Sequence, residues 1–234
     1  MSLISDNLQV VRAQLTACAH NSGRNPANIC LLAVSKTFGA DAVVEAASHG
    51  QSCFGENYLQ EAIDKIAEVQ RLAPELTLDW HFIGPIQSNK TRQIAEHFSW
   101  VHSVDREKIA SRLSEQRPAE LAPLNICLQV NISGEASKSG VMPEQLFALA
   151  KAVVALPHLR LRGLMAVPEA SDDVARQRQA FSQLRQLKES LSGQGIELDT
   201  LSMGMSGDMN SAIAEGSTML RIGSAIFGKR TYAE

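Results

Sequence analysis

The 234 residues fit one large domain better than two, and fractions of 44% hydrophobic and 20% charged residues exclude a largely disordered chain. A formal charge of -3 and a pI near 6.1 exclude a general attraction to nucleic acid or anionic membrane, so any phosphate site must be local. No apolar run approaches the roughly 18 residues that a membrane-spanning helix requires.

Ile4, Leu8, Val11, Leu15 and Cys18 recur at helical spacing and predict an opening amphipathic helix that ends near Gly23 and Pro26. Short β-branched or aromatic runs then alternate with turns and with segments of period near 3.6, the signature of βαβ units. Strands are expected at 30–35, 52–55, 80–83, 100–103, 126–131, 162–167, 200–203 and 220–227. Between them lie helical stripes such as Leu59/Ile63/Ile66, Ile109/Leu113 and Phe181/Leu184/Leu187/Leu191. Eight strands alternating with helices predict a single (β/α)₈ TIM barrel over residues 1–234, preceded by an extra N-terminal helix. The rival is an open doubly wound sheet, but its glycine-rich first turn is missing, since Val34-Ser35-Lys36-Thr37 stands there.

Residues 1–11 carry Asp6 where a secretory signal needs an unbroken apolar core, so a cytoplasmic location is the default expectation. Cys18, Cys30, Cys53 and Cys127 lack CxxC spacing, and buried free thiols are expected in preference to zinc or disulfides.

In such barrels the chemistry gathers at the carboxyl ends of the strands. The first run, Cys-Leu-Leu-Ala-Val-Ser, ends in Lys36, which reads either as a snorkelling charge or as a Schiff-base lysine whose amine pKa is lowered by a dry barrel mouth. The second ends in Gly55-Glu56-Asn57-Tyr58, where Asn57 can cap the next helix or bond a ligand hydroxyl. His81 lies within the third apolar run and is expected to be a hydrogen-bonded core histidine rather than a base or metal ligand. After the fifth run, residues 131–140 form a loop of small residues carrying Lys138, either a lid that brings a second lysine to the rim or a solvated surface loop.

The last two strands lead into Gly204-Met205-Ser206-Gly207-Asp208 and Arg221-Ile222-Gly223-Ser224. Ser206, Gly223 and Ser224 suit the phosphate site that barrels build after strands seven and eight, within reach of Lys36 on the adjoining first strand. A phosphate-bearing aldehyde can then engage both. Arg221 can donate to an unprotonated pyridine nitrogen without protonating it, which would damp the electron sink of pyridoxal 5′-phosphate (PLP); it can equally pair with phosphate or Asp208.

Six separated segments, Leu-Ala-Val-Ser-Lys36-Thr, Phe-Gly-Glu-Asn57-Tyr, His81-Phe-Ile-Gly-Pro-Ile-Gln-Ser-Asn-Lys90, Ser-Lys138-Ser-Gly, Leu-Ser-Met-Gly-Met-Ser206-Gly-Asp-Met and Met-Leu-Arg221-Ile-Gly-Ser-Ala-Ile-Phe-Gly, together resemble the YggS/PROSC-type pyridoxal phosphate homeostasis protein family. The resemblance spans nearly the whole chain. It implies a barrel similar to the N-terminal domain of alanine racemase, with PLP on Lys36, Arg221 at the pyridine nitrogen, and Ser206, Gly223 and Ser224 around the phosphate. It also implies a protein without an established catalytic activity that binds, stores or delivers PLP, with PLP-dependent apoenzymes as candidate recipients. Phe38 stands where many bacterial relatives carry a lysine, and the tail lacks terminal lysines that some have, which puts any transfer site using them in doubt.

Two enzymatic readings compete. An amino-acid racemase needs acid-base groups on both faces of the bound substrate. In the similar racemases the second is a tyrosine from a β-rich domain; here Tyr58 and Tyr232 are the only tyrosines and neither is expected to serve. A class I aldolase acting on a sugar phosphate would use Lys36 as well, but wants carboxylates beside it, and Glu56 is the only acid nearby in sequence. The expectation is a PLP carrier, monomeric, with no metal and no nucleic acid or membrane partner.

Overall fold

The computed structural model describes residues 2–134 and 139–228. Helix α1 (Leu3–Asn21) starts at Ser2, whose side chain accepts the Ser5 N–H at 3.2 Å, and its buried stripe of Leu8, Val11, Leu15 and Ala19 lies against the body of the fold. The eight strands that follow are β1 (Cys30–Val34), β2 (Cys53–Glu56), β3 (Asp79–Phe82), β4 (Trp100–Val104), β5 (Leu124–Gln129), β6 (Leu159–Met165), β7 (Thr200–Ser202) and β8 (Met219–Ile222). They close in sequence order into a barrel of parallel pairs, sealed where β8 lies beside β1 with Leu32 opposite Arg221. The (β/α)₈ expectation and the extra first helix are thus both observed.

Helices α2 (Ala40–Ser48), α3 (Leu59–Leu72), α4 (Thr91–His97), α5 (Glu107–Gln116), α6 (Leu146–Val154), α7 (Val174–Ser192) and α8 (Met209–Ala214) connect successive strands. Outward side chains of the strands, among them Phe54, Phe82 and Val101, join the inner stripes of these helices in one continuous apolar core. Inside the barrel the filling is unequal. A Cβ on Gly55 would meet Leu32 and Ile83 at 3.2 Å, so that side is tightly apolar, whereas His81, His102, Ser202 and Arg221 fill the other.

The last strand differs from expectation. The apolar run 220–227 reads as one strand, but β8 ends at Ile222 and Ser224–Phe227 form a short helix, α9. The chain turns at Gly223, and the run's far half serves a different surface: Phe227 stacks on Phe38 at 5.2 Å, and Asn7 Nδ2 of α1 donates to the Ile226 carbonyl at 2.9 Å. A short apolar run cannot by itself tell buried strand from buried helix.

At α7, Asp173 Oδ1 accepts the N–H groups of Ala175 and Arg176 at 2.8 and 3.4 Å. Asp173→Ala is expected to cost about 1 kcal/mol and to lower the melting temperature by roughly 2–4 °C. An unchanged thermal melt would show that the cap contributes nothing.

Candidate functional site

At the carboxyl ends of the strands a cavity of about 390 Å³ is lined by Val34, Lys36, Asn57, Ile83, Met165, Val167, Met205, Ser206, Gly207, Arg221, Gly223 and Ser224. Every residue expected at the site from the sequence is therefore brought together, except Lys138, which lies outside the described residues.

Lys36 stands two residues beyond the end of β1 and is fixed from behind. The Ser35 hydroxyl donates to Glu56 Oε1 at 2.7 Å, and the Thr37 N–H donates to Glu61 Oε1 at 2.6 Å. Thr37 has φ 70°, a left-handed conformation that a β-branched residue rarely adopts, so the chain around Lys36 is held in a costly shape. What holds it is Lys65, whose buried Nζ contacts Glu56 Oε1 at 2.6 Å, the Ser35 carbonyl at 2.8 Å and Glu61 Oε1 at 3.0 Å. Burial pushes the Glu56 carboxyl above its usual range, and Lys65 and Ser35 oppose that rise. Lys65 and Glu61 were not singled out from the sequence. The available signal was Lys65 falling on the buried stripe of α3, between Ala62 and Val69.

Arg221 enters the cavity floor from β8 and is nearly wholly buried. Its Nη1 donates to the Ser202 carbonyl at 2.7 Å and to Ser202 Oγ at 2.8 Å, and its Nη2 donates to the Ala166 carbonyl at 2.9 Å. Burial lowers its pKa to about 10, with Asp208 opposing, so the guanidinium stays charged at neutral pH. The expected alternative of direct pairing with Asp208 gives way to this arrangement: Asp208 Oδ1 instead accepts the Met205 N–H at 2.5 Å and ties the loop after β7 back on itself.

That loop departs from β7 at Gly204, with φ 98°, where a Cβ would lie 2.5 Å from that of Ala212, so only glycine fits. It carries Ser206 and Gly207 toward Gly223 and Ser224 across the cavity. Asn57 does not cap α3: Tyr58 holds the cap position, and no side-chain cap bond forms there. Instead Asn57 Oδ1 is buried beside the cavity without a hydrogen-bond partner among the described residues. The β3 exit presses against its backbone so closely that a Cβ on Gly84 would fall 2.1 Å from the Asn57 carbonyl oxygen.

His81 is a core histidine, as expected, with Nδ1 2.9 Å from His102 Nε2. His102 Nδ1 in turn lies 2.8 Å from Ser202 Oγ, the group that receives Arg221. Of the thiols, Cys127 is buried as expected, but Cys18, Cys30 and Cys53 are only half-buried, the last two where their ends of β1 and β2 border a second opening at the barrel's other end. Tyr58 is exposed.

Comparison with known proteins gives a consistent picture. The family model described as "Alanine racemase, N-terminal domain" matches residues 7–231. A "Pyridoxal phosphate homeostasis protein" of Pseudomonas aeruginosa is 61% identical over 232 residues, covering 99% of this chain and 98% of that protein. PipY of Synechococcus elongatus, solved with PLP bound, superposes with a TM-score of 0.83 at 36% identity, covering 96% of this chain and 100% of that one. An alanine racemase of Corynebacterium glutamicum shares the fold, with a TM-score of 0.70 at 16% identity over 97% of this chain and 61% of that one.

Proposed function

Because the chain belongs to the pyridoxal phosphate homeostasis protein family, within the alanine racemase N-terminal domain family, we propose that it holds PLP in the carboxyl-end cavity and serves intracellular PLP homeostasis by storing or delivering it. The observation that carries this reading is one cavity bounded by a lysine, a buried arginine, a serine-glycine cradle and the unpartnered oxygen of Asn57. When bound, PLP supplies an aldehyde open to an amine and a pyridine ring whose strength as an electron sink depends on protonation of its nitrogen.

Lys36 Nζ is the amine that captures the aldehyde. Ser206 and Ser224 hydroxyls and the backbone at Gly207 and Gly223 receive the phosphate. Asn57 Oδ1 accepts a ligand hydroxyl, which ends its buried isolation. Arg221 faces the ring nitrogen with N–H donors not spent on Ser202 and Ala166, and, being unable to give up its proton, leaves that nitrogen unprotonated.

The same set argues against turnover. Among the described residues lining the cavity there is no carboxylate, imidazole, phenol or thiol to serve a racemase as a second acid-base group. The aldolase reading loses its only candidate acid, since Glu56 is turned away from the cavity and engaged by Lys65 and Ser35. We read the protein as a monomeric cytoplasmic carrier whose recipients are PLP-dependent apoenzymes.

The test is the visible spectrum of the purified protein with and without added PLP, followed by borohydride reduction and peptide mapping. A yellow band and a reduced pyridoxyl group on Lys36 are expected, without sustained racemisation or transamination. A protein that takes up no PLP would overturn the reading and bring the sugar-phosphate aldolase forward; turnover of an amino acid, lost on Lys36→Ala, would make it an enzyme.

A further inference from the structure

Beyond β1 the chain turns at once. The Phe38 N–H donates to the Ser35 carbonyl at 3.0 Å and closes a β-turn in which Lys36 stands second and Thr37 third. A positive φ at the third position, with none at the second, is the mark of a type II turn, and that place is normally filled by glycine or asparagine. Threonine suits it poorly, because its branched Cβ crowds the backbone there. Packing of its own side chain does not impose the shape, since Thr37 is exposed.

Both sides of this turn are anchored, which leaves the peptide between Lys36 and Thr37 as its soft element. On the entry side the Ser35 hydroxyl is bound to Glu56, and Lys65 Nζ shares the carbonyl that closes the turn. On the exit side the Phe38 ring stacks on Phe227 of α9. The unstrained alternative for threonine is a type I turn, which keeps the closing bond but rotates the central peptide by roughly 150–170°. That rotation changes ψ at Lys36, and the rotamers open to a side chain depend on its backbone angles. In the observed turn the Thr37 N–H donates to Glu61 Oε1 at 2.6 Å, and the same oxygen receives Lys65 Nζ at 3.0 Å. Rotated, the peptide would bring the Lys36 carbonyl toward the carboxylate in place of the N–H, so Glu61 favours one state and opposes the other.

We propose that Glu61 is a positioning residue for PLP capture: by accepting the Thr37 N–H it holds the turn in its left-handed state and so aims Lys36 into the carboxyl-end cavity. The proposal rests on the PLP reading of that cavity and adds to it a residue that does not line the cavity. Glu61 acts as a hydrogen-bond acceptor, on the backbone next to the lysine. PLP is then captured by the fraction of molecules in the left-handed state, and apparent affinity falls in proportion to that fraction. Without Glu61 a branched residue disfavours this state by roughly tenfold, and Glu61→Ala should weaken PLP retention by about that factor. Glycine visits the same state at no steric cost, so Thr37→Gly removes the need for Glu61.

The experiment is a double-mutant cycle: equilibrium dialysis of PLP against wild type, Glu61→Ala, Thr37→Gly and the two combined, with Glu61→Gln as the conservative variant. Borohydride mapping of Lys36 and a thermal melt accompany each. Glu61→Gln, whose amide oxygen keeps two acceptor sites, is expected to retain PLP within about threefold of wild type. In the Thr37→Gly background the loss caused by Glu61→Ala should shrink from about tenfold to within about twofold. Any fall in melting temperature from the lost Lys65 contact is common to both backgrounds, so binding that recovers without the melt separates aim from stability. A Glu61→Ala protein that holds PLP like wild type, a loss undiminished by Thr37→Gly, or a Glu61→Gln protein as weak as Glu61→Ala overturns the proposal. In each of those cases wild type still binds, and the carboxyl-end reading stands. A wild type that takes up no PLP removes that reading, and this proposal with it.

Discussion

Replacing Lys36 with alanine abolishes the borohydride-fixable pyridoxyl group and the yellow band, and weakens PLP retention by at least about 100-fold, or ~2.7 kcal/mol. The size follows from what is lost and what stays. The substitution removes the only amine lining the cavity among the described residues, and with it the covalent link to the aldehyde. Ser206, Ser224, Gly223 and Arg221 remain as a non-covalent cradle, so binding is expected to weaken rather than vanish. The fold should survive, because the Ser35 hydroxyl, the Ser35 carbonyl and the Thr37 N–H anchor this segment and are untouched by the substitution. Equilibrium dialysis of PLP against wild type and Lys36→Ala, with far-ultraviolet circular dichroism as a folding control, measures it. A variant that keeps the band and the affinity would sink the assignment of Lys36 and send the search to another lysine.

How much of this was legible in the sequence depends on which face of a strand a residue occupies. Residues at strand exits were readable, because an apolar run that stops at Lys36, Asn57, Ser206 or Gly223 announces where the barrel opens. The eight strands were readable from alternation alone, with the exception of 220–227, where apolar character continued across the change from β8 to α9. The support of the site was not readable. Ser202 and His102 are polar residues inside short strands, and their meaning depends on barrel closure bringing β4, β7 and β8 around one interior. Pairings of that kind join residues 100 positions apart, and no periodicity encodes them. Cys30 and Cys53 failed for the same reason: as members of apolar runs they read as core, and only the register of β1 and β2 brings them to one cavity.

The buried cluster behind Lys36 gives the largest expected loss of stability. Lys65→Met removes the ammonium that Glu56, Glu61 and the Ser35 carbonyl share, and leaves Glu56, itself fully buried, with the Ser35 hydroxyl on Oε1 and, among the described residues, no partner on Oε2. Breaking such a pair from one side costs about 3–5 kcal/mol, mainly as the penalty of a stranded charge. The pH dependence identifies that cause. Burial already holds the Glu56 pKa above its unfolded value, and loss of Lys65 removes the largest opposing influence, so the folded variant binds the proton more tightly than the unfolded chain does. Between the two pKa values the native state carries the extra proton, and stability therefore falls as pH rises through that window and levels off above it. Urea denaturation should accordingly show a small deficit for Lys65→Met at about pH 4, near the ordinary glutamate range, and the full deficit at neutral pH. Adding Glu56→Gln removes the charge and should recover most of the neutral-pH loss. An equal deficit at both pH values would mean that lost packing of the Lys65 stem, rather than the stranded carboxylate, is what destabilises the strand exits that carry Lys36 and Asn57.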